Sequence, residues 1–121
     1  MRGAEEVHEV SLMKNLLGVV EKTIEKEGGG KVEKIHILIG AMSGVNTDAL
    51  DFAFEVLSKG TSAEGGVIEY ESIPLALKCR ECGLISNPKD FIFSCSHCDS
   101  RDIEIVGGRE MEIDYILMDD E

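Results

Sequence analysis

Apolar residues recur at helical spacing through Leu12, Leu16, Leu17, Val20 and Ile24, while Lys14, Glu21, Lys22, Glu25 and Lys26 fall largely on the other side. The spacing predicts an amphipathic helix over roughly residues 9 to 27, stopped by Gly28-Gly29-Gly30. The period then changes from helical to alternating. Ile35, Ile37 and Ile39 point to one face of a strand that Gly40 closes. Asn46 or Thr47 is placed to cap a second helix, with Asp48 and Asp51 near its positive end. Leu50, Ala53, Phe54 and Leu57 form its apolar stripe, and Gly60 stops it. Residues 67 to 77 read as a long strand, broken or bent at Pro74. After Gly107-Gly108, Met111, Ile113, Tyr115 and Leu117 alternate as a third strand.

That order has a topological consequence. A lone final strand is not stable in water, so it is expected to return to the sheet begun near the N-terminus. The segment between is then an insertion held by two strand-like stalks. The expected fold is α+β: two helices on a small three-stranded mixed sheet, with an inserted zinc-ribbon module. The expected boundaries are residues 1–77 plus 108–121 for the helix-and-sheet lobe and 78–107 for the ribbon, with residues 1–6 a disordered or non-native extension.

The inserted segment carries the clearest chemistry. Its four cysteines stand as Cys79-Arg80-Glu81-Cys82 and Cys95-Ser96-His97-Cys98, with twelve residues between the pairs, and the chain has no others. A two-residue gap lets both thiols of a pair turn around one ion, and two pairs complete a tetrahedral sulfur shell suited to Zn²⁺. Gly83 supplies a tight turn after the first pair, and Phe91 and Phe93 are placed to pack over the metal loops. A module this small cannot bury enough apolar area to offset its chain entropy, so the metal is expected to be structural. A closed sulfur shell has no open position for substrate or water.

Charge narrows the class of partner. Twelve basic residues face 24 acidic ones, for a net charge of −12. A surface of that sign repels nucleic-acid phosphates and anionic membranes, and no basic stripe is present to bind either. No apolar run approaches a membrane span, and the N-terminus lacks the apolar core of a signal peptide. A cytoplasmic location is expected, where thiols stay reduced.

Few other residues stand out. On the residues alone, His8-Glu9 reads as polar surface, or as Glu9 favouring a helix N-terminus. His36 sits in a strand opposite the isoleucine face. His97 lies inside a cysteine knuckle, near the zinc but not on it when four sulfurs fill the shell; it is retained as a peripheral ligand. No serine–histidine–aspartate order, phosphate-binding glycine loop or hydrolase-type helical ligand set is found. The residues alone thus name no activity; a zinc-ribbon interaction adaptor with no second metal is compatible with them.

The run His8-Glu9-Val10-Ser11-Leu12-Met13, the segment Ile39-Gly40-Ala41-Met42-Ser43-Gly44-Val45-Asn46, the run Ala49-Leu50-Asp51-Phe52-Ala53-Phe54 and the two cysteine pairs occur in an order that resembles the HypA family. These are nickel metallochaperones of [NiFe]-hydrogenase maturation. The resemblance covers nearly everything from residue 7 onward. It implies a two-lobed, non-enzymatic protein that delivers Ni²⁺ to the hydrogenase large-subunit precursor, with the GTPase HypB as partner and, in some organisms, a role toward urease. It implies Zn²⁺ as structural metal on Cys79, Cys82, Cys95 and Cys98, and Ni²⁺ as transient cargo at His8 and Glu9. Asn46 stands where some members carry an aspartate near the metal, and an amide oxygen is the poorer donor. Family members begin Met-His-Glu and hold nickel through the terminal amine, a backbone nitrogen and the imidazole, donors that suit Ni²⁺. Here six residues precede Val7, so the amine is far from His8. Translation from a GTG codon at Val7 is the expected origin of the difference. The expected assembly state is a monomer or a weak homodimer.

Overall fold

A computed structural model describes the backbone over residues 2–119 and side chains from residue 8 onward. In chain order the elements are α1 (Arg2–Lys26), β1 (Lys31–Gly40), α2 (Thr47–Leu57), β2 (Val67–Ile73), β3 (Ala76–Cys79), β4 (Ile85–Ser86), β5 (Ile103–Gly107) and β6 (Met111–Asp119). They form two three-stranded sheets, in the orders β2-β1-β6 and β4-β3-β5. The last strand does return to the first sheet. Pro74 ends β2, and the chain resumes as β3 in the other sheet, so the long strand expected over 67 to 77 is two strands. Among the described residues no helix is long and apolar enough to cross a membrane.

Helix α1 starts at Arg2, well before residue 9, because Ala4, Glu5 and Glu6 favour helix and no proline interrupts them. The expectation that residues 1–6 stand apart falls partly outside the described residues, since Met1 is not among them.

The chain divides into two compact units. The first comprises Met1–Ile37, Val45–Tyr70 and Glu112–Glu121, and the second Leu38–Gly44 and Glu71–Met111. In the first, α1 packs against α2, and Met13, Leu17, Val20 and Ile24 of α1, Leu50, Ala53 and Phe54 of α2, and Val32, Ile35 and Ile37 of β1 are all buried. Each such side chain contributes about 1.5–3 kcal/mol by leaving water. Leu12 and Leu16 are only half-buried, and Met13 takes the central place. Helix α2 begins as expected. Asn46 is its N-cap, in extended conformation, and its Oδ1 accepts from the Ala49 N–H at 3.1 Å.

The second unit is built on antiparallel pairing. Leu77 faces Ser86 and Lys78 faces Ile85, while Lys78 also faces Glu104 and Cys79 faces Ile103. A register shift between Ala76 and Leu77 leaves Val106 as the extra residue of a bulge. Of the apolar side chains in its ribbon, only Leu75, Leu77, Cys79 and Cys95 are deeply buried, a core too small to hold the fold unaided.

Candidate metal centres

The two cysteine pairs are local copies of one knuckle. The Cys79 N–H donates to the Leu84 carbonyl at 3.0 Å and the Gly83 N–H to the Cys79 carbonyl at 2.9 Å. Sixteen residues on, the Cys95 N–H donates to the Ser100 carbonyl at 2.8 Å and the Asp99 N–H to the Cys95 carbonyl at 2.9 Å. Each copy closes on a residue with positive φ, Gly83 at 79° and Asp99 at 62°; aspartate is one of the few side chains that visits this region. Backbone donors already point at sulfur. The Cys82 N–H lies 3.3 Å from Cys79 Sγ, and the His97 N–H 3.3 Å from Cys95 Sγ.

The donor set fits a tetrahedral ion. All four sulfurs lie within 4.8 Å of one another, and the Cys79–Cys98 and Cys82–Cys95 pairs stand 3.6 Å apart. A Zn²⁺ about 2.3 Å from each sulfur sets sulfurs about 3.8 Å apart. The acidities agree. The Cys82 N–H pulls the Cys79 thiol down to about 6 against the opposing effect of burial. At Cys98 the Ser100 N–H pulls the same way, but the Cys79 sulfur and burial prevail and push it up to about 12. One thiolate forms readily and its crowded neighbours resist, a conflict that a divalent cation removes. Cys79 and Cys95 are buried, while Cys82 and Cys98 face solvent. His97 is exposed, and its Nε2 lies 3.4 Å from the Ile85 carbonyl. Phe91 and Phe93 are 49% and 42% exposed; they line an open apolar groove with Ala41, Met42 and Gly44 instead of sealing the metal loops.

Around the His8-Glu9 pair the structure separates two neighbours. His8 is exposed. Glu9 is 4% exposed and falls on the inward stripe with Met13, Val20 and Ile24, so it is neither surface nor at a helix N-terminus. Its Oε2 accepts from the Asn46 N–H at 2.8 Å. Glu9 and Asn46 are thus brought together, but the Asn46 side chain is occupied in capping α2. A sequence signal for this existed in the position of Glu9, four residues before Met13, but its acceptor role depends on a residue far along the chain. Replacing Glu9 with alanine strands a part-buried N–H and is expected to cost about 2 kcal/mol, whereas Glu9→Gln keeps an acceptor oxygen and costs less. Urea unfolding of the two variants checks the order; equal losses would contradict it.

Comparison with known proteins adds three findings. A family model described as "Hydrogenase/urease nickel incorporation, metallochaperone, hypA" matches residues 7–118. A hydrogenase maturation factor HypA of Lawsonia intracellularis is 31% identical over 115 residues, covering 91% of this chain and 98% of the relative. One from Roseiflexus sp. strain RS-1 is 34% identical over 116 residues, covering 95% of this chain and 94% of the relative. Among solved structures, the Ni metallochaperone HypA from Helicobacter pylori has a TM-score of 0.69 at 23% identity, over 93% of this chain and 98% of that one. A further HypA solution structure has a TM-score of 0.77 at 23% identity, over 95% of this chain and 98% of that one. At these identities the solved structures speak for the fold.

Proposed function

This chain belongs to the HypA family, and from that premise we propose that it is a nickel metallochaperone of hydrogenase maturation. It carries Ni²⁺ as cargo to the hydrogenase large-subunit precursor, acts in the cytoplasm with the GTPase HypB, and performs no catalysis of its own. Urease accessory proteins are a second class of recipient. The observation that supports it most is the family match, which begins at residue 7 and so takes in the His8-Glu9 pair.

The two metals have different chemical requirements. The four-sulfur cluster offers Zn²⁺ a closed shell of thiolates, and its task is to hold the ribbon together. Cargo must be bound where ligands can be replaced one at a time. An exposed imidazole at His8 meets that need: an acceptor's thiolate or imidazole can enter before His8 leaves, and the ion is never bare. Glu9 supports the site from beneath, by fixing Asn46 and the start of α2 against α1. The supporting charge pattern is acidic, which attracts a divalent cation and any basic partner surface.

The length of chain before His8 governs the geometry. With α1 running Arg2–Lys26, the His8 amide lies beyond the first four N–H groups of the helix and is committed to its ladder. A chain beginning with Met at position 7 places its amine one residue from His8 and frees that amide to close two small chelate rings. Titrating Ni²⁺ into zinc-loaded protein tests the function. One Ni²⁺ is expected in each form, bound at least tenfold more tightly by the chain starting at residue 7, and lost in His8→Ala. No nickel binding in either form would favour the adaptor reading.

A further inference from the structure

Strand β6 closes the order β2-β1-β6, so one of its edges has no strand beside it among the described residues. Such an edge presents a row of backbone donors and acceptors, and proteins commonly blunt it with lysine, proline or a short length. β6 does none of these. It runs nine residues, Met111–Asp119, and contains neither lysine nor proline. Its only charged side chains are carboxylates, those of Glu112, Asp114 and Asp119.

Beside this strand lies an open groove of about 460 Å³, within the size range of ligand-binding clefts. Val19, Thr23 and Ile24 of α1 line it on one side, and Ile113, Ile116 and Met118 of β6 on the other. The Thr23 hydroxyl is engaged within the helix, donating to the Val19 carbonyl at 2.8 Å. Apolar surface here reaches solvent: Val19 is 53% exposed, Tyr115 44% and Leu117 42%. The charged residues of the groove are Glu27 and Asp114, both acidic. Asp114 also faces His36, whose Nε2 lies 3.8 Å from its Oδ2, while Glu27 and Glu112 are exposed. The sign of the charge extends beyond the groove. Seventeen of the 24 acidic residues, but only seven of the twelve basic ones, belong to the compact unit that holds α1 and β6 from Glu112 onward.

We propose that β6 is a docking edge, which an extended, basic segment of a partner protein joins as a fourth strand. Main-chain hydrogen bonds to such an edge supply affinity, and pockets for alternate side chains supply selection. Side chains of a strand alternate between faces, so apolar ones enter the groove against α1 while flanking lysines or arginines meet Glu27, Glu112 and Asp114. Charge decides between occupants. A second copy would bring two acidic units together, with like charges across the new strand pair, whereas a basic segment relieves the repulsion along β6. The site uses none of the four cysteines and neither His8 nor Glu9, so it stands independently of the nickel-delivery reading.

The test uses the zinc-loaded full chain and a fluorescently labelled peptide of alternating valine and lysine, about as long as β6. Anisotropy reports binding, and amide hydrogen exchange reports its place. We expect saturable binding, with slowed exchange at alternate residues of β6. The same peptide methylated on the backbone nitrogens of one edge keeps its charge but loses the donors that strand addition requires, and should not bind. A peptide of alternating valine and glutamate should not bind either. Glu27→Lys combined with Glu112→Lys weakens binding of the valine–lysine peptide about tenfold, as two exposed ion pairs are lost and reversed. Both positions are exposed, so the substitutions leave the fold intact. Equal binding of the methylated peptide, or no binding of the valine–lysine peptide, overturns the proposal. So does protection of β6 amides that arises from self-association of the chain alone, which would assign the edge to a second copy.

Discussion

Replacing Cys95 with serine is expected to empty the four-sulfur site and unfold the ribbon, while α1 and α2 keep their helical signal. The reason lies in what the ribbon has without its metal. Leu75 and Leu77 are its only deeply buried aliphatic side chains, and β4 has two residues. Their burial contributes a few kcal/mol at about 1.5–3 each, too little to offset the chain entropy of a module this small. A structural Zn²⁺ contributes on the order of 10–16 kcal/mol in comparable peptides. Serine offers a harder, protonated oxygen where a thiolate is needed, and it leaves the His97 N–H without its sulfur acceptor. Near-stoichiometric zinc and an unchanged amide spectrum in Cys95→Ser would refute this account. Acid has the same direction of effect. Protons compete with zinc for all four thiolates. Zinc transfer to a fixed concentration of chelator should therefore speed up as pH falls.

The parts of this fold that were legible in the sequence are those governed by short-range periodicity. Leu17, Val20 and Ile24 announce α1, Ile35 and Ile37 announce the buried face of β1, and Asn46 announces the start of α2, because spacing and capping chemistry act within a few residues. Pro74 marks the exact place where one sheet ends, since it cannot donate to a ladder. Four cysteines at knuckle spacing announce their own convergence. What could not be read depends on partners distant in the chain. A glutamate at position 9 looks like surface until the Asn46 N–H is seen bonding to it. The strands β4 and β5 are too short to show a period and take their pairing from the knuckles between them. His36 is unremarkable until β2 and β6 bring Glu69 and Asp114 to its two nitrogens. Helix α1 was legible in type but not in extent, because nothing near residue 9 signals a start.

Gly40 shows the same limit most sharply, and it carries the second large expected effect. In sequence it reads as a residue that merely ends a strand. In the fold its missing side chain is a contact surface: a Cβ there would stand 2.1 Å from the Gly108 carbonyl carbon and oxygen and 2.5 Å from the Arg109 nitrogen. All three are backbone atoms, so no rotamer change can make room. The segments are fastened on both sides, with the Gly40 N–H donating to the Glu110 carbonyl at 2.7 Å and the Met42 N–H to the Gly108 carbonyl at 2.6 Å. Gly108 is itself confined, at φ 109° and 2.9 Å from Leu75 Cα by the same measure. Gly40→Ala must therefore break these bonds or move the chain, at a cost of about 3 kcal/mol or more. The melting temperature should fall by roughly 10 °C or more. Two controls isolate the steric cause. Gly44 has φ 70° and nothing within 4 Å, so Gly44→Ala should lose only about 1 kcal/mol, from backbone conformation alone. Gly18 lies within α1, also with nothing within 4 Å, and Gly18→Ala should gain about 0.5–1 kcal/mol from helix propensity. Thermal melts of the three zinc-loaded variants should rank Gly40→Ala lowest by a wide margin. A Gly40→Ala melt no lower than that of Gly44→Ala would mean that the two segments are not held in contact in solution.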